Sequence, residues 1–341
     1  MKIKSIYSNR FTDNKAYLDI VYEWEDDLAK SLGIQIQPIE LEKPFLQDLG
    51  LLEILNDNFK KIISALSKKK HKPNSKHGSK HLQFVINAGI RLSQANLIKK
   101  NILPIIIDFW KQQDVHQFYE EYKYYDLIFI SSLEVLTHLK RCKIPLNFHH
   151  LPLSLSDRFK DAAVGEKTYD IVLAGRRNEL LWDYLQEFCI KYRDIEFLYQ
   201  EEEDGTLYYR SNKRGRMGSY QSRKEYLALI NSAFISFYST PGIDGGEERT
   251  GGFNPVTPRF LELLSAKCLL LGRYPDNEET KFFEVAKVCP NINTYQEFEA
   301  TLIKYFNVRN SPIDFSHYES ILDKHYTSKR YLRILDVIQE K

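Results

Sequence analysis

The feature that most constrains this chain is a rhythm that runs along it twice. Short apolar runs rich in β-branched and aromatic residues alternate with longer amphipathic stretches. In the first half, strands are expected at 3–7, 82–87, 103–109, 127–130 and 147–151, with helical patterns at about 45–66, 90–100, 113–123 and 132–140 between them. Apolar strands separated by helices require a parallel sheet covered on both faces. The rhythm then restarts. A strand is expected at 169–174, a helix at about 178–192 and a strand at 195–199; the polar, turn-rich segment 201–220 reads as a long loop. Ser222 with Glu225 three residues later forms a capping box for a helix over 223–232, and a strand over 234–238 follows. A loop with five glycines, 240–256, leads to Thr257 as the cap of a helix with Pro258 at its first position, then to a strand at 268–271. Thr294 and Glu297 form another capping box, and 316–341 reads as an amphipathic helical tail.

The chain therefore divides into two α/β units joined near 155–168. The expected domains are 1–158, 159–315 and a tail, 316–341, whose helices cross back to the first unit. With 341 residues, each unit is long enough to bury its own core. The four cysteines, Cys142, Cys189, Cys268 and Cys289, form no CxxC pair and sit in or beside apolar runs, as expected of reduced thiols. The segment MKIKSIYSNR lacks the apolar stretch of a secretory signal, and no apolar run approaches the roughly 20 residues that span a bilayer. The expectation is a cytoplasmic protein, at most peripheral at the inner membrane face.

Net charge of +2 argues against a general polyanion binder, and no RRM, helix-turn-helix or zinc signature points to nucleic acid. Residues 60–81 nevertheless hold eight lysines and three histidines, including Lys68, Lys69, Lys70 and Lys72. The plain alternative is a solvated loop; the functional one is a contact for an anionic acceptor or anionic lipid.

Three strand-end segments carry the chemistry, all in the second half. Gly175-Arg176-Arg177 places two guanidiniums before a helix start, an arrangement suited to phosphate. Its alternative is a surface pair bonded to nearby carboxylates. The glycine-rich loop 239–256 lets backbone approach a ligand, yet has neither Walker nor GxGxxG spacing. The segment NPVTPRFLELLSAKCLLLG, 254–272, enters a helix with Glu262 about one turn in, among Phe260, Leu261, Leu263 and Leu264. A buried carboxylate needs a partner, and a diol such as a ribose is one that it can hold.

At these residues the stretch 169–280 resembles the donor-binding domain of glycosyltransferase group 1, and within it the branch related to spore-maturation-protein-like enzymes. YDIVLAGRR looks like that family's first donor-domain strand and phosphate loop, and TPRFLELLSAKCLLLG is similar to its signature helix and strand. YKYYDLIFISSLEVLTHL and NFHHLPLSL are similar to the elements before the domain join. The resemblance implies a GT-B fold, two Rossmann-like domains facing across a cleft. It implies a metal-independent transferase that uses a nucleoside-diphosphate sugar as substrate and needs no cofactor. The partners it implies are a nucleotide-sugar donor and a glycan or lipid-linked acceptor. Glu262 matches the residue that holds the donor ribose, Arg176 the one on the diphosphate with Arg177 beside it, and 252–257 the backbone around the donor. Gly251, Gly252, Thr257 and Arg259 belong to the same loop and helix start. Two positions depart from the pattern: Asn254 stands where the family often has a first Glu, and Lys267 where it has a small residue, usually Gly. If the reaction inverts the anomeric centre, the base comes from the first domain, where Asp13, Asp108 and His116 lie in or just past strand ends. His149 and His150 suit strand packing equally well. No DxD is present, the acidic spacings within 201–204 read as a surface run, and no metal site is expected. The alternatives are a non-catalytic sugar-nucleotide-binding protein on the same fold and a sugar-nucleotide epimerase.

Overall fold

A computed structural model describes residues 2–13, 18–39, 80–86, 102–110, 114–204, 206–219 and 222–339. The expected helical patterns at 45–66 and 90–100, and Lys68, Lys69, Lys70 and Lys72, lie outside the described residues.

The first half runs β1 (Ile3–Ser8), α1 (Asp19–Leu32), β2 (Gln35–Pro38), β3 (Lys80–Val85), β4 (Ile102–Ile106), α2 (Val115–Tyr122), β5 (Ile128–Ile130), α3 (Leu133–Arg141) and β6 (Phe148–His150). Its six strands form one parallel sheet in the order β2-β1-β3-β4-β5-β6. The central strands are buried throughout, as in Ile102–Ile106, because helices cover both faces. Ser132 and Asp114 cap α3 and α2 by accepting from backbone N–H groups in the first turn.

The second half runs β7 (Tyr169–Val172), α4 (Glu179–Lys191), β8 (Phe197–Glu203), β9 (Thr206–Ser211), β10 (Gly215–Gly218), α5 (Arg223–Asn231), β11 (Ala233–Ser239), α6 (Glu247–Thr250), α7 (Pro258–Ser265), β12 (Leu269–Arg273), α8 (Glu278–Phe282) and α9 (Tyr295–Asn307). Its sheet order is β10-β9-β8-β7-β11-β12, with the last four strands parallel. Both expected capping boxes form, Ser222 with Glu225 and Thr294 with Glu297.

Three expectations change. Segment 201–220 is not a loop: β8, β9 and β10 form an antiparallel meander on the sheet edge. Glu201 and Glu203 stand on β8 and pair with Arg210 on β9, so cross-strand charge pairs replace the apolar alternation that marks a strand. The glycine-rich loop contains the short helix α6. Thr257 occupies the N-cap position of α7 without a side-chain cap bond; its backbone N–H donates instead to Tyr238 Oη at 3.2 Å.

The tail forms α10 (Ser316–His325) and α11 (Thr327–Gln339). Helix α11 crosses back to the first half, where Ile334, Val337 and Ile338 join the core of Ile6, Trp24 and Leu28. Two strands of chain thus pass between the halves, side by side. Leu155 N donates to His325 O at 3.0 Å and Thr327 N to Leu155 O at 2.9 Å. Buried Arg330 ties both passages, donating to Pro152 O, Leu153 O and Lys324 O at 2.7, 2.8 and 3.1 Å. Burial lowers its affinity for its proton, to a pKa of about 9.

Candidate functional site

In the second sheet, the chain leaves β7 toward β8 and leaves β11 toward β12, on the opposite side. The carboxyl ends of β7 and β11 therefore diverge, and such a switch point is where open parallel sheets leave a crevice for ligands. A small pocket lies there, lined by Ala174, Arg176, Arg177, Trp182, Phe237 and Ser239 among others.

The Gly175 turn shapes this crevice. Gly175 has φ 77°, and a Cβ on it would collide with the guanidinium of Arg259. Only glycine lets Arg259, from the first turn of α7, lie across the β7 end, where its Nη1 donates to Arg176 O at 3.4 Å. The Arg259 guanidinium thus meets the Arg176 backbone. Arg177 pairs with Glu179 at 3.2 Å and stacks 4.7 Å from the Trp182 ring centroid, and both it and Trp182 line the pocket. Asn178 caps α4 through Leu181 N at 3.0 Å and donates to Asp244 at 2.8 Å. The Arg273 fork, at 2.8 and 2.9 Å, holds the Asp244 carboxyl below the usual carboxylate range.

The glycine-rich loop folds around Asn254. Its Oδ1 accepts from Thr240 Oγ1 at 2.7 Å and Gly242 N at 3.0 Å, while Nδ2 donates to Gly242 O and Gly252 O at 3.2 and 2.9 Å. Every hydrogen-bonding atom of this amide is engaged inside the loop, so Asn254 shapes the site rather than facing a ligand. Gly251 and Gly252, at φ 64° and 84°, turn the chain after α6. The loop is also anchored to the first half. Asn254 N donates to Glu134 Oε2 at 2.5 Å, and Phe253 is buried among the first-half residues Phe109, Phe118 and Leu139, edge-on to His138 at 5.4 Å. Glu134 further accepts from Asn277 at 2.8 Å. In return Glu279, 1% exposed, accepts from Leu133 N at 2.5 Å and Ser132 Oγ at 3.1 Å, the N-terminus of α3. Burial raises the Glu279 carboxyl to about 7, the α3 donors oppose the rise, and Glu134 adds to it.

Arg249, on α6, completes the arginine set. It lies 5.7 Å from the Trp110 ring centroid of the first half. Burial lowers its pKa, Arg176 lowers it further, and Asp108 opposes both. Arg249 is therefore close enough to both Arg176 and Asp108 for their charges to act on it. Asp108 is half-buried; burial raises its carboxyl and Arg249 lowers it. Of the three first-half candidates, Asp108 is the one set against a second-half arginine. Asp13 lies beside Tyr22, whose Oη donates to Asp13 O at 2.5 Å. His116 is exposed in the first turn of α2, near Glu120. The last two residues of the basic segment are structural: Lys80 is buried and pairs with Asp126 at 2.7 Å, and His81 stacks on Tyr7.

Glu262 is buried at 4% exposure, as its apolar neighbours imply. Tyr226 Oη donates to its Oε2 at 3.2 Å, and Arg223 Nη1 lies 2.5 Å from Oε1. Burial raises the Tyr226 pKa, so the phenol keeps the proton it donates. Arg249, Trp110, Arg223, Tyr226, Glu134 and Glu279 were not singled out in the sequence. Arg249 and Trp110 sit in segments whose glycines and apolar run carried the reading, and the others meet only in three dimensions.

No family model matches the chain, and no curated protein does. Solved structures do. TarM aligns with a TM-score of 0.52 at 11% identity, over 75% of this chain and 54% of that one. The N-terminal domain of Candida albicans trehalose-6-phosphate phosphatase aligns with a TM-score of 0.50 at 11% identity, over 98% and 88%. The pneumococcal O-GlcNAc transferase GtfA, in complex with UDP and GlcNAc, aligns with a TM-score of 0.47 at 11% identity, over 80% and 58%. The chain spans just over half the length of TarM and of GtfA. With its two facing sheets, the fold is GT-B. Among the described residues, no helix is long and apolar enough to cross a membrane.

Proposed function

We propose that this chain is a nucleotide-sugar-dependent glycosyltransferase of the group 1 type that its second half resembles, and that it needs no metal or cofactor. The observation that carries the reading is the set of arginines about the β7 end: Arg176 and Arg177 line the crevice beyond β7 and β11, Arg259 lies against the Arg176 backbone, and Arg249 is close enough to feel the Arg176 charge, with buried Glu262 one turn past Arg259 along α7. A departing nucleoside diphosphate gains negative charge as the glycosidic bond breaks. Preorganised guanidiniums and a helix start stabilise that charge without reorganisation. Glu262 accepts the donor ribose hydroxyls. Asp108, facing Arg249 across the cleft, is the first-half residue best placed to orient or deprotonate an acceptor hydroxyl, and its raised carboxyl suits a base.

The acceptor in this reading is a glycan or lipid-linked precursor with anionic character, drawn by the lysines of 60–81 and met at the inner face of the membrane. The observations that favour a binding-only protein are the engaged Asn254 and the Arg223 contact of Glu262.

The test is isothermal titration with UDP, GDP, ADP, CDP and dTDP, followed by turnover of the sugar derivative of whichever binds. Arg176→Ala and Glu262→Gln should each weaken binding by about 1.5–3 kcal/mol, the scale of a hydrogen bond to a charged group. Wild-type protein that binds none of the five refutes the donor site. Binding without turnover of any sugar derivative leaves the binding-only reading.

A further inference from the structure

The segment that follows β4 carries Asp108, Phe109 and Trp110, and it receives the second half at two points. Its start is fixed on both sides: Ile107 N donates to Val85 O at 2.9 Å, and Ser131 Oγ donates to Ile107 O at 2.7 Å. Phe109 shares a core with Phe253 of the glycine-rich loop, and Trp110 packs against that core. Four residues before Phe253, Arg249 of α6 lays its guanidinium over the Trp110 ring, 5.7 Å from the centroid. The negative face of an indole attracts a cation placed there. Among the described residues, neither that guanidinium nor the Asp108 carboxyl forms a hydrogen bond or an ion pair. The ring from the first half is what the Arg249 side chain rests on, and Asp108, two residues earlier, keeps its lone pairs open.

Burial favours the neutral acid of Asp108, and the Arg249 charge opposes it. Arg176, at the β7 end, acts on Arg249 in turn. The other titratable side chains on the elements that pack here are His138 and Glu134 of α3 and Tyr122 of α2. His138 lies 6.4 Å from the Phe109 ring, Glu134 is bonded to Asn254 N, and Tyr122 is buried in the same core. A direct bond from an arginine would occupy lone pairs that a base needs, whereas a guanidinium held on the neighbouring ring supplies its charge without them. We propose that Trp110 is a positioning residue whose ring holds the second-half Arg249 where its charge favours an ionised Asp108 with lone pairs free for an acceptor hydroxyl. That hydroxyl passes its proton to Asp108 as its oxygen bonds to the anomeric carbon of the donor sugar. The bond from that carbon to the diphosphate breaks, and its electron pair leaves with the diphosphate. The base of one half thus draws its charge state from a loop of the other. The inference rests on the reading of Asp108 as the residue that deprotonates the acceptor.

The test is an NMR titration of the full chain, isotope-labelled in its aspartate carboxyls; the resonance absent from Asp108→Asn is that of Asp108. Arg249→Met and Trp110→Leu should each move its titration to higher pH, because the opposing charge is removed or released. Trp110→Phe keeps a ring face and should titrate near wild type. In an Arg249→Met background, Trp110→Leu should add no further shift. A Trp110 that merely stabilises the fold moves none of these titrations while the protein stays folded. If circular dichroism shows Trp110→Leu unfolded, Trp110→Met replaces it. An unshifted Asp108 in the folded Trp110 variant, a shift to lower pH, or an equal shift in the Arg249→Met background overturns the positioning. Once a donor and an acceptor turn over, Asp108→Asn should lose about 100-fold in kcat, the low end for a general base. Turnover by Asp108→Asn at the wild-type rate overturns the reading of Asp108 as the base, whatever the titrations show.

Discussion

Glu279 joins the two halves through a carboxylate whose burial raises its pKa from the ordinary 4.5 to about 7. A raised carboxyl binds its proton more tightly in the folded protein than in the unfolded chain. Its stabilising contribution is therefore full below about pH 4.5 and is lost as pH rises through about 7. For one group with these two values, linkage gives a loss of about 2 kcal/mol between about pH 5.5 and about pH 8. Glutamine keeps the shape and the carbonyl that accepts from Leu133 N but carries no charge to desolvate. Urea unfolding at the two pH values measures the difference. Wild type should lose about 2 kcal/mol more than Glu279→Gln over that interval. Glu25, also raised to about 7 by burial, adds a background loss common to both proteins. Equal pH slopes for the two proteins would show that Glu279 titrates as if exposed and that the α3 contact is not dry.

Lys267 follows α7 with φ 50°, where a side chain is strained, so Lys267→Gly should raise stability by about 0.5–1 kcal/mol in urea unfolding, even with loss of the exposed Glu319 pair at 3.0 Å. Turnover, once a donor is found, should survive EDTA; its abolition by chelation and rescue by Mg²⁺ or Mn²⁺ would overturn the arginine-based reading of the leaving group. Neutralising Lys68, Lys69, Lys70 and Lys72 together should weaken binding to anionic liposomes and raise acceptor KM, with donor hydrolysis unchanged. Each lysine contributes at most about 1 kcal/mol near such a surface, and unchanged liposome binding would remove the membrane from the picture.

The parallel strands were legible because their apolar runs are continuous, as in Ile102–Ile106, and because Ser222 and Thr294 announce helices through local bonds. The meander was hidden because Glu201, Glu203 and Arg210 satisfy one another across strands, and charge at those positions reads as loop. Glycine at 175 was legible as the turn that follows a strand, but the reason the structure gives for it, space for Arg259, depends on a residue 84 positions later. Asn254 was read as a substitute for a ligand-facing carboxylate, whereas its amide holds the loop from within. Lys267 has the left-handed backbone, φ 50°, that ordinarily favours glycine, and its local sequence does not mark it. A residue such as Arg249 acts through partners from the other half, and no local pattern encodes such a pairing.

The seat of Phe253 bears on how this protein can be recombined. The glycine-rich loop belongs by sequence to the second half, yet its Phe253 is packed beside Phe109, Phe118 and His138 of the first. A chimera that grafts this second half onto a different first half transplants the loop without its socket. The benzyl group would then face water, and burying such a side chain is ordinarily worth about 1.5–3 kcal/mol. A graft of this half therefore has to carry the α2 and α3 wall along with the loop, or replace Phe253 by a residue that tolerates exposure.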